Sequence, residues 1–205
     1  MTADDATVFI VDDDDAVRDS LGLLMKSVCM HTETYDSAES FLSAHEAGRF
    51  GCLVLDIRMP GMSGIELQRE LTQRGSTLPI IFITAHGDIP MAVDAVRHGA
   101  MDFIQKPFDD TELVAKVKRA LAESVDRREE EEELTDIRRR AATLTTRERQ
   151  VMAQVVEGKA NKVIASDLGV SQRTVEIHRA RVMEKMQAGS LAHLVKMVLV
   201  AGPDL

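Results

Sequence analysis

Cys52-Leu53-Val54-Leu55-Asp56-Ile57-Arg58-Met59-Pro60-Gly61 is the stretch whose reading decides the fold. It is a short apolar run that ends on a single acid. Three other runs end in a similar way. Val8-Phe9-Ile10-Val11 leads into Asp12 to Asp15, the run at 79–84 closes on Thr84, and the run at 102–105 is followed by Lys106. Four strand ends therefore carry acid, acid, hydroxyl and amine. In an open parallel sheet all four meet at one edge, where α/β proteins place their sites.

Working outward, the residues predict strands at about 7–11, 30–35, 52–56, 79–84 and 102–105. Helices are predicted at about 16–27, 37–47, 64–73, 89–98 and 109–123. Five strand-then-helix repeats imply a parallel sheet covered on both faces. The fold class expected is α/β, a flavodoxin-like, doubly wound, five-stranded parallel sheet in the order 2-1-3-4-5. This first domain occupies residues 1–124. Residues 125–142 hold Arg127-Arg128, Glu129 to Glu133 and Arg138 to Arg140, with few apolar side chains. They read as a charged, solvated, helical linker that contributes no core. Residues 143–205 are purely helical and predict a small four-helix domain. Thr146 starts one helix, a short one at 161–168 closes at Gly169, Ser171 caps the third at 172–187, and Ser190 caps the last at 191–200. A helix, a tight glycine-containing turn and a second helix make a helix-turn-helix.

Composition narrows the function. The chain has 205 residues, is 44% hydrophobic and carries a net charge of −9. That charge is uneven: −10 in residues 1–124, −2 in 125–140 and +3 in 141–205. The basic tail, not the acidic front, suits nucleic acid, because Lys and Arg neutralise phosphates and release counterions. No apolar run is long enough to span a membrane, and the acidic start, Met-Thr-Ala-Asp-Asp, is not that of a secretory signal. A cytoplasmic location is expected. Cys29 and Cys52 are expected to be buried free thiols.

Asp13 and Asp56 at neighbouring strand ends repel each other unless a cation lies between them. Mg2+ prefers oxygen ligands and retains water. Asp13, Asp56 and the Arg58 backbone carbonyl are expected to hold it, with Asp12 on a metal-bound water. Asp56 then becomes a nucleophile toward phosphorus. Lys106 and Thr84 are expected to meet the charge on the transferred oxygens, since phosphoryl transfer is mostly positioning and neutralisation. Asp14 and Asp15 are read as helix-capping acids.

Val11-Asp12-Asp13, Asp56-Ile57-Arg58-Met59-Pro60-Gly61, Thr84-Ala85-His86-Gly87-Asp88 and Lys106-Pro107-Phe108 resemble the receiver domain of two-component response regulators. The resemblance implies phosphorylation of Asp56 by a sensor histidine kinase. It also implies a Mg2+ or Mn2+ site at Asp12, Asp13, Asp56 and the Arg58 carbonyl, with switch residues Thr84 and Phe103, an anchor at Lys106, and a cis bond before Pro107. Beyond self-phosphorylation and self-dephosphorylation, no enzyme activity is implied.

The tail helix at 172–187 divides by face. Val175, Val182 and Met186, with the stem of Arg179, point inward at helical spacing. Arg173, Glu176, Ile177, Ala180, Arg181 and Glu184 form the opposite stripe, which suits a major groove: Arg bonds guanine, Glu accepts from cytosine, and Ile or Ala touches a thymine methyl. Lys162, His178, Arg179 and Lys185 are expected at phosphates. The segments from Leu144-Thr145-Thr146-Arg147-Glu148 to Thr174-Val175-Glu176-Ile177-His178-Arg179 are similar to the LuxR/NarL-type helix-turn-helix. That similarity adds Thr174 to the DNA set and makes Glu148 a core-facing structural acid. The whole chain resembles the FixJ/StyR subfamily. This implies a phosphorylation-dependent homodimer on promoter DNA, with RNA polymerase as a further partner. Two other readings stay open: a receiver that never takes phosphate and serves as a docking platform, and a metal-dependent phosphatase.

Overall fold

The computed structural model describes residues 6–44, 49–85 and 89–202, apart from the side chains of Ile89, Pro90 and Ala92. His86, Gly87 and Asp88 of the fourth-strand motif, and the N-terminal Met-Thr-Ala-Asp-Asp, lie outside the described residues. The chain divides into two compact units, Met1–Glu129 and Glu130–Leu205.

In the first unit the strands are β1 (Thr7–Val11), β2 (His31–Tyr35), β3 (Gly51–Asp56), β4 (Ile80–Thr84) and β5 (Asp102–Gln105). They pair in parallel in the order β2-β1-β3-β4-β5. The helices between them are α1 (Asp15–Ser27), α2 (Ala38–Ala44), α3 (Gly64–Gln73) and α4 (Ile89–Arg97), and α5 (Asp110–Ala142) follows β5. Alternate residues of each strand feed opposite faces. Phe9, Leu53, Leu55 and Phe82 pack with Phe41 of α2 and Leu67 and Leu71 of α3. Val8, Ile10, Val54, Ile81 and Ile83 pack with Leu21 and Met25 of α1 and Leu113 and Val117 of α5. Burial on both sides explains why β1, β3 and β4 read as continuous apolar runs. The edge strand β2 is only partly buried.

Two expectations change here. Cys52 is buried, but Cys29 is exposed. It follows the C-terminal cap of α1 with φ 60, a turn conformation rather than a continuation of the apolar helix face. The helix expected to stop near 123 also runs on to Ala142. Ser124 accepts the Gly51 N–H at 3.1 Å, Arg127 donates to the Thr77 carbonyl at 3.1 Å, and the Arg128 guanidinium lies 4.8 Å from the centre of the Phe50 ring. These contacts hold the helix to the first unit past residue 124. Its last turns bury Ile137 and Ala141 in the core of the second unit, so the segment is more than a solvated linker.

That second core also takes in Leu144, Val151, Val155, Ile164, Val175, Val182, Met186, Leu194 and Met197. Its helices are α6 (Thr146–Val156), α7 (Asn161–Leu168), α8 (Gln172–Lys185) and α9 (Leu191–Ala201). Thr145 and Glu148 form a capping box at α6. Gly169 ends α7 in the left-handed region, φ 64, where a side chain costs energy. Ser171 caps α8 two residues later by accepting the Thr174 N–H at 3.0 Å.

Candidate functional site

Strand register brings the distant residues to one edge. Val11 pairs with Leu55, so Asp12 and Asp56 both stand one residue further on. Asp56 pairs with Ile83 and Thr84 with Gln105, which sets Thr84 and Lys106 at the same edge. The loop after β3 returns tightly enough to need glycine. A Cβ on Gly64 would lie 2.1 Å from the Asp56 carbonyl oxygen, and the Gly64 N–H donates to the Ile57 carbonyl at 3.0 Å. The capping box of Ser63 and Glu66 then starts α3. Glu39 of α2 accepts the Met62 N–H at 3.1 Å and fixes the loop from outside.

Lys106 is the centre of the pocket. Its Nζ donates to Asp12 Oδ2 and to Asp56 Oδ1, each at 2.9 Å. Asp12 is 1% exposed and Asp56 9%. Their remaining oxygens are also bonded: Asp12 Oδ1 accepts the Asp14 N–H at 2.9 Å, and Asp56 Oδ2 accepts the Arg58 N–H at 2.7 Å. Burial pushes the Asp56 carboxyl up from its ordinary pKa, and the Lys106 hydrogen bond only partly offsets this. Burial alone would lower Lys106, but its hydrogen bonds to Asp12 and Asp56 outweigh that and raise it. An ammonium thus lies between the two buried acids, and the acid sharing it with Asp56 is Asp12. Asp13 is exposed.

Thr84 is 1% exposed, and its hydroxyl donates to the Ala85 carbonyl at 3.2 Å. Phe103 is half-buried against the first core. The bond between Lys106 and Pro107 is cis. Asp14 caps α1 by accepting the Ala16 N–H at 2.8 Å. Among the described residues, no three His, Cys, Asp or Glu side chains are gathered into a preformed metal cage. The donor chemistry still fits a hard divalent cation: two inward carboxylates, Asp13 exposed beside them, and the Arg58 carbonyl following Asp56.

On α8, Arg173, Glu176, Ile177, Ala180, Arg181 and Glu184 are all exposed, Ile177 by 43%. Val175, Val182 and Met186 are buried beneath them. Lys162 on α7 is exposed. Arg179 donates to Asn161 Oδ1 at 3.0 Å and so ties α8 to the start of α7. His178 is half-buried, and its Nδ1 has no hydrogen-bond partner among the described residues. Thr174 bonds the capping Ser171. Lys185 departs from the expected phosphate role. Its ammonium turns inward to Glu148 at 2.6 Å and to the Thr143 carbonyl at 3.1 Å, because Glu148 is 2% exposed and needs a counter-ion. Through that hydrogen bond, Lys185 holds the Glu148 carboxyl down at about 2. The sequence offered no signal for this pair, whose members lie 37 residues apart.

A doubly wound sheet with this acid-and-lysine edge, followed by a helix-turn-helix, defines a response regulator that acts on transcription. The response regulator receiver domain matches residues 8–118, and the luxR family of bacterial regulatory proteins matches residues 142–198. The chain belongs to this family, which is regulatory rather than catalytic, and it is FixJ-like. It is 49% identical over 198 residues to the transcriptional regulatory protein FixJ of Rhizobium meliloti, covering 97% of each chain. It is 48% identical over 195 residues to FixJ of Azorhizobium caulinodans, covering 95% of this chain and 92% of that one. The solved structure of the response regulator StyR superposes with a TM-score of 0.87 at 45% identity, covering 95% of this chain and 98% of that one. No described helix is long and apolar enough to cross a membrane.

Proposed function

We propose that Asp56 accepts a phosphoryl group from the phosphohistidine of a sensor kinase, and that the modified receiver then drives pairing of two chains on promoter DNA. The observation that carries this is the convergence of Asp12 and Asp56 on one ammonium at 2.9 Å each. In the transfer, an Asp56 carboxylate oxygen attacks phosphorus. The new P–O bond forms as the donor's P–N bond breaks, and the imidazole leaves with a proton. Lys106 stays beside the reacting carboxylate and meets the charge that arrives. Asp12, Asp13, Asp56 and the Arg58 carbonyl would hold Mg2+ or Mn2+. When bound, that ion supplies charge neutralisation at the phosphoryl oxygens. Water that reaches the acyl phosphate reverses the modification, which accounts for self-dephosphorylation.

The donor must cover the pocket edge to reach Asp56. Val17, Leu21, Leu24 and Phe108 line an apolar groove beside Lys106, which gives a kinase helix a surface to pack on. After transfer, the Thr84 hydroxyl turns from the Ala85 carbonyl to the phosphoryl group, and Phe103 follows into the space released. The face built from α4 and β5 then changes shape. Met91, Val93 and Val96 lie exposed on α4 and supply the apolar contact for a second copy. Two tails place α8 in successive major grooves. Arg173, Thr174, Glu176, Ile177, Ala180 and Arg181 contact bases, while Lys162, His178 and Arg179 contact phosphates. RNA polymerase is the further partner of the bound dimer, and the cytoplasm is the expected compartment.

The test is DNA binding of the full chain with acetyl phosphate and Mg2+. Wild type should tighten on promoter DNA, and Asp56→Asn should remain a weak binder. Equal binding by the two would end this reading.

A further inference from the structure

Among the described side chains of α4, only Ala95 is buried, while Met91, Val93 and Val96 are 39%, 38% and 36% exposed. One methyl group anchors a helix weakly, and elements with few buried apolar contacts open most readily. The C-terminal end of α4 is held by a different device. Gln68 of α3 is 3% exposed, and its amide nitrogen donates to the Ala95 carbonyl at 3.1 Å and to the His98 carbonyl at 3.3 Å. Carbonyls at a helix C-terminus lack donors from their own helix. The Ala95 carbonyl also receives the Ala100 N–H at 3.0 Å and the His98 N–H at 3.1 Å, whereas His98 lies beyond the last residue of α4, Arg97. A buried amide is costly unless its protons are used. Here both are directed at one helix end. The other end of α4 begins five residues after Thr84, the residue expected to respond to phosphate.

We propose that Gln68 is the fixed point of α4. It pins the C-terminal end to α3 and leaves the N-terminal end to follow the state of the pocket. This rests on the phosphorylation switch proposed above. Gln68 has no hydrogen bond to Asp56, Lys106 or Thr84 among the described residues, so it is a positioning residue. With the pin in place, a displacement at Thr84 turns the exposed face of α4 as one body. Without it, α4 loosens in both states, and phosphate no longer produces one defined pairing surface.

Gln68→Met in the full chain removes the donors and keeps nearly the same volume. Three quantities are measured: labelling by acetyl phosphate with Mg2+, self-association by sedimentation with and without acetyl phosphate, and amide hydrogen exchange across α4. Labelling should stay within about twofold of wild type, because the pocket is untouched. The strengthening of self-association by phosphate should fall at least about tenfold, the change expected from losing both hydrogen bonds of the buried Gln68 amide. Exchange at residues 98–100 should rise about tenfold or more, while β1 and β3 remain protected. Self-association like that of wild type, or unchanged exchange at 98–100, overturns the pin. If wild type itself shows no association driven by phosphate, the switch reading falls, and the exchange data still judge Gln68. If the variant fails to fold, wild type decides: residues 98–100 should be protected longer than 93–96, and the reverse order overturns the proposal.

Discussion

Lys106→Met isolates the electrostatics of the pocket. In wild type one ammonium lies 2.9 Å from an oxygen of Asp12 and 2.9 Å from an oxygen of Asp56. Those two oxygens are therefore no farther apart than twice that distance. Two unit charges so placed repel by about 3 kcal/mol at an effective dielectric of about 20. Removing one partner of a buried ion pair costs about 3–5 kcal/mol. Protonation sets a ceiling, because neutralising a carboxyl of ordinary pKa at pH 7 costs about 4 kcal/mol. The expected loss is about 3–4 kcal/mol, or roughly 10 °C in the melting of a unit this size. The assay is thermal and urea unfolding of the full chain at pH 7, in EDTA and in Mg2+. With the ammonium gone, a divalent cation would be a positive charge available to the two acids. Saturating Mg2+ at about a hundred times its Kd adds about 3 kcal/mol to a folded chain that binds it, so both proteins should be more stable in Mg2+ than in EDTA. A loss below about 1 kcal/mol in EDTA would refute the reasoning.

Three further outcomes are expected. Glu148 titrates at about 2 in the folded tail against an ordinary 4.5, so its ion pair adds stability above pH 4.5 that is lost as pH falls toward 2. The loss is at most about 3 kcal/mol, visible as faster amide exchange in α6 and α8, and Lys185→Met should shrink that dependence, leaving the part that the Thr145 hydrogen bonds supply. Gly64→Ala forces a Cβ to within 2.1 Å of the Asp56 carbonyl oxygen. Overpacking of this kind costs about 1–3 kcal/mol, and the displaced backbone should slow labelling of Asp56 by acetyl phosphate. Ile137→Ala should destabilise the second unit by about 2–5 kcal/mol and leave exchange in β1 and β3 unchanged, because Ile137 is buried only in the helical core.

The sheet was legible because β1, β3 and β4 are buried on both faces, which leaves continuous apolar runs with the chemical residues at their ends. The strand order and the meeting of Asp12, Asp56, Thr84 and Lys106 at one edge followed from that pattern. What stayed hidden depends on contacts between residues far apart in sequence. Nothing local shows that Lys106 spans to Asp12, 94 residues away, and bridges it to Asp56. The length of α5 was hidden because five consecutive glutamates and an arginine run mask Ile137 and Ala141, which find their core only when α6 to α9 assemble. Lys185 read as a phosphate contact because its lysine type and its place on α8 say nothing of Glu148. Gln68 carried no signal, since its two acceptors belong to a different helix end.

The most direct measurement is to locate the phosphoryl group. The full chain is labelled by acetyl phosphate with Mg2+, the acyl phosphate is trapped by borohydride reduction, and the peptides are read by mass spectrometry. The expected result is one modified residue per chain, Asp56, with no modification in EDTA and none in Asp56→Asn. Modification centred on Asp12, Asp13 or any other acid, or undiminished labelling of Asp56→Asn, would contradict the account.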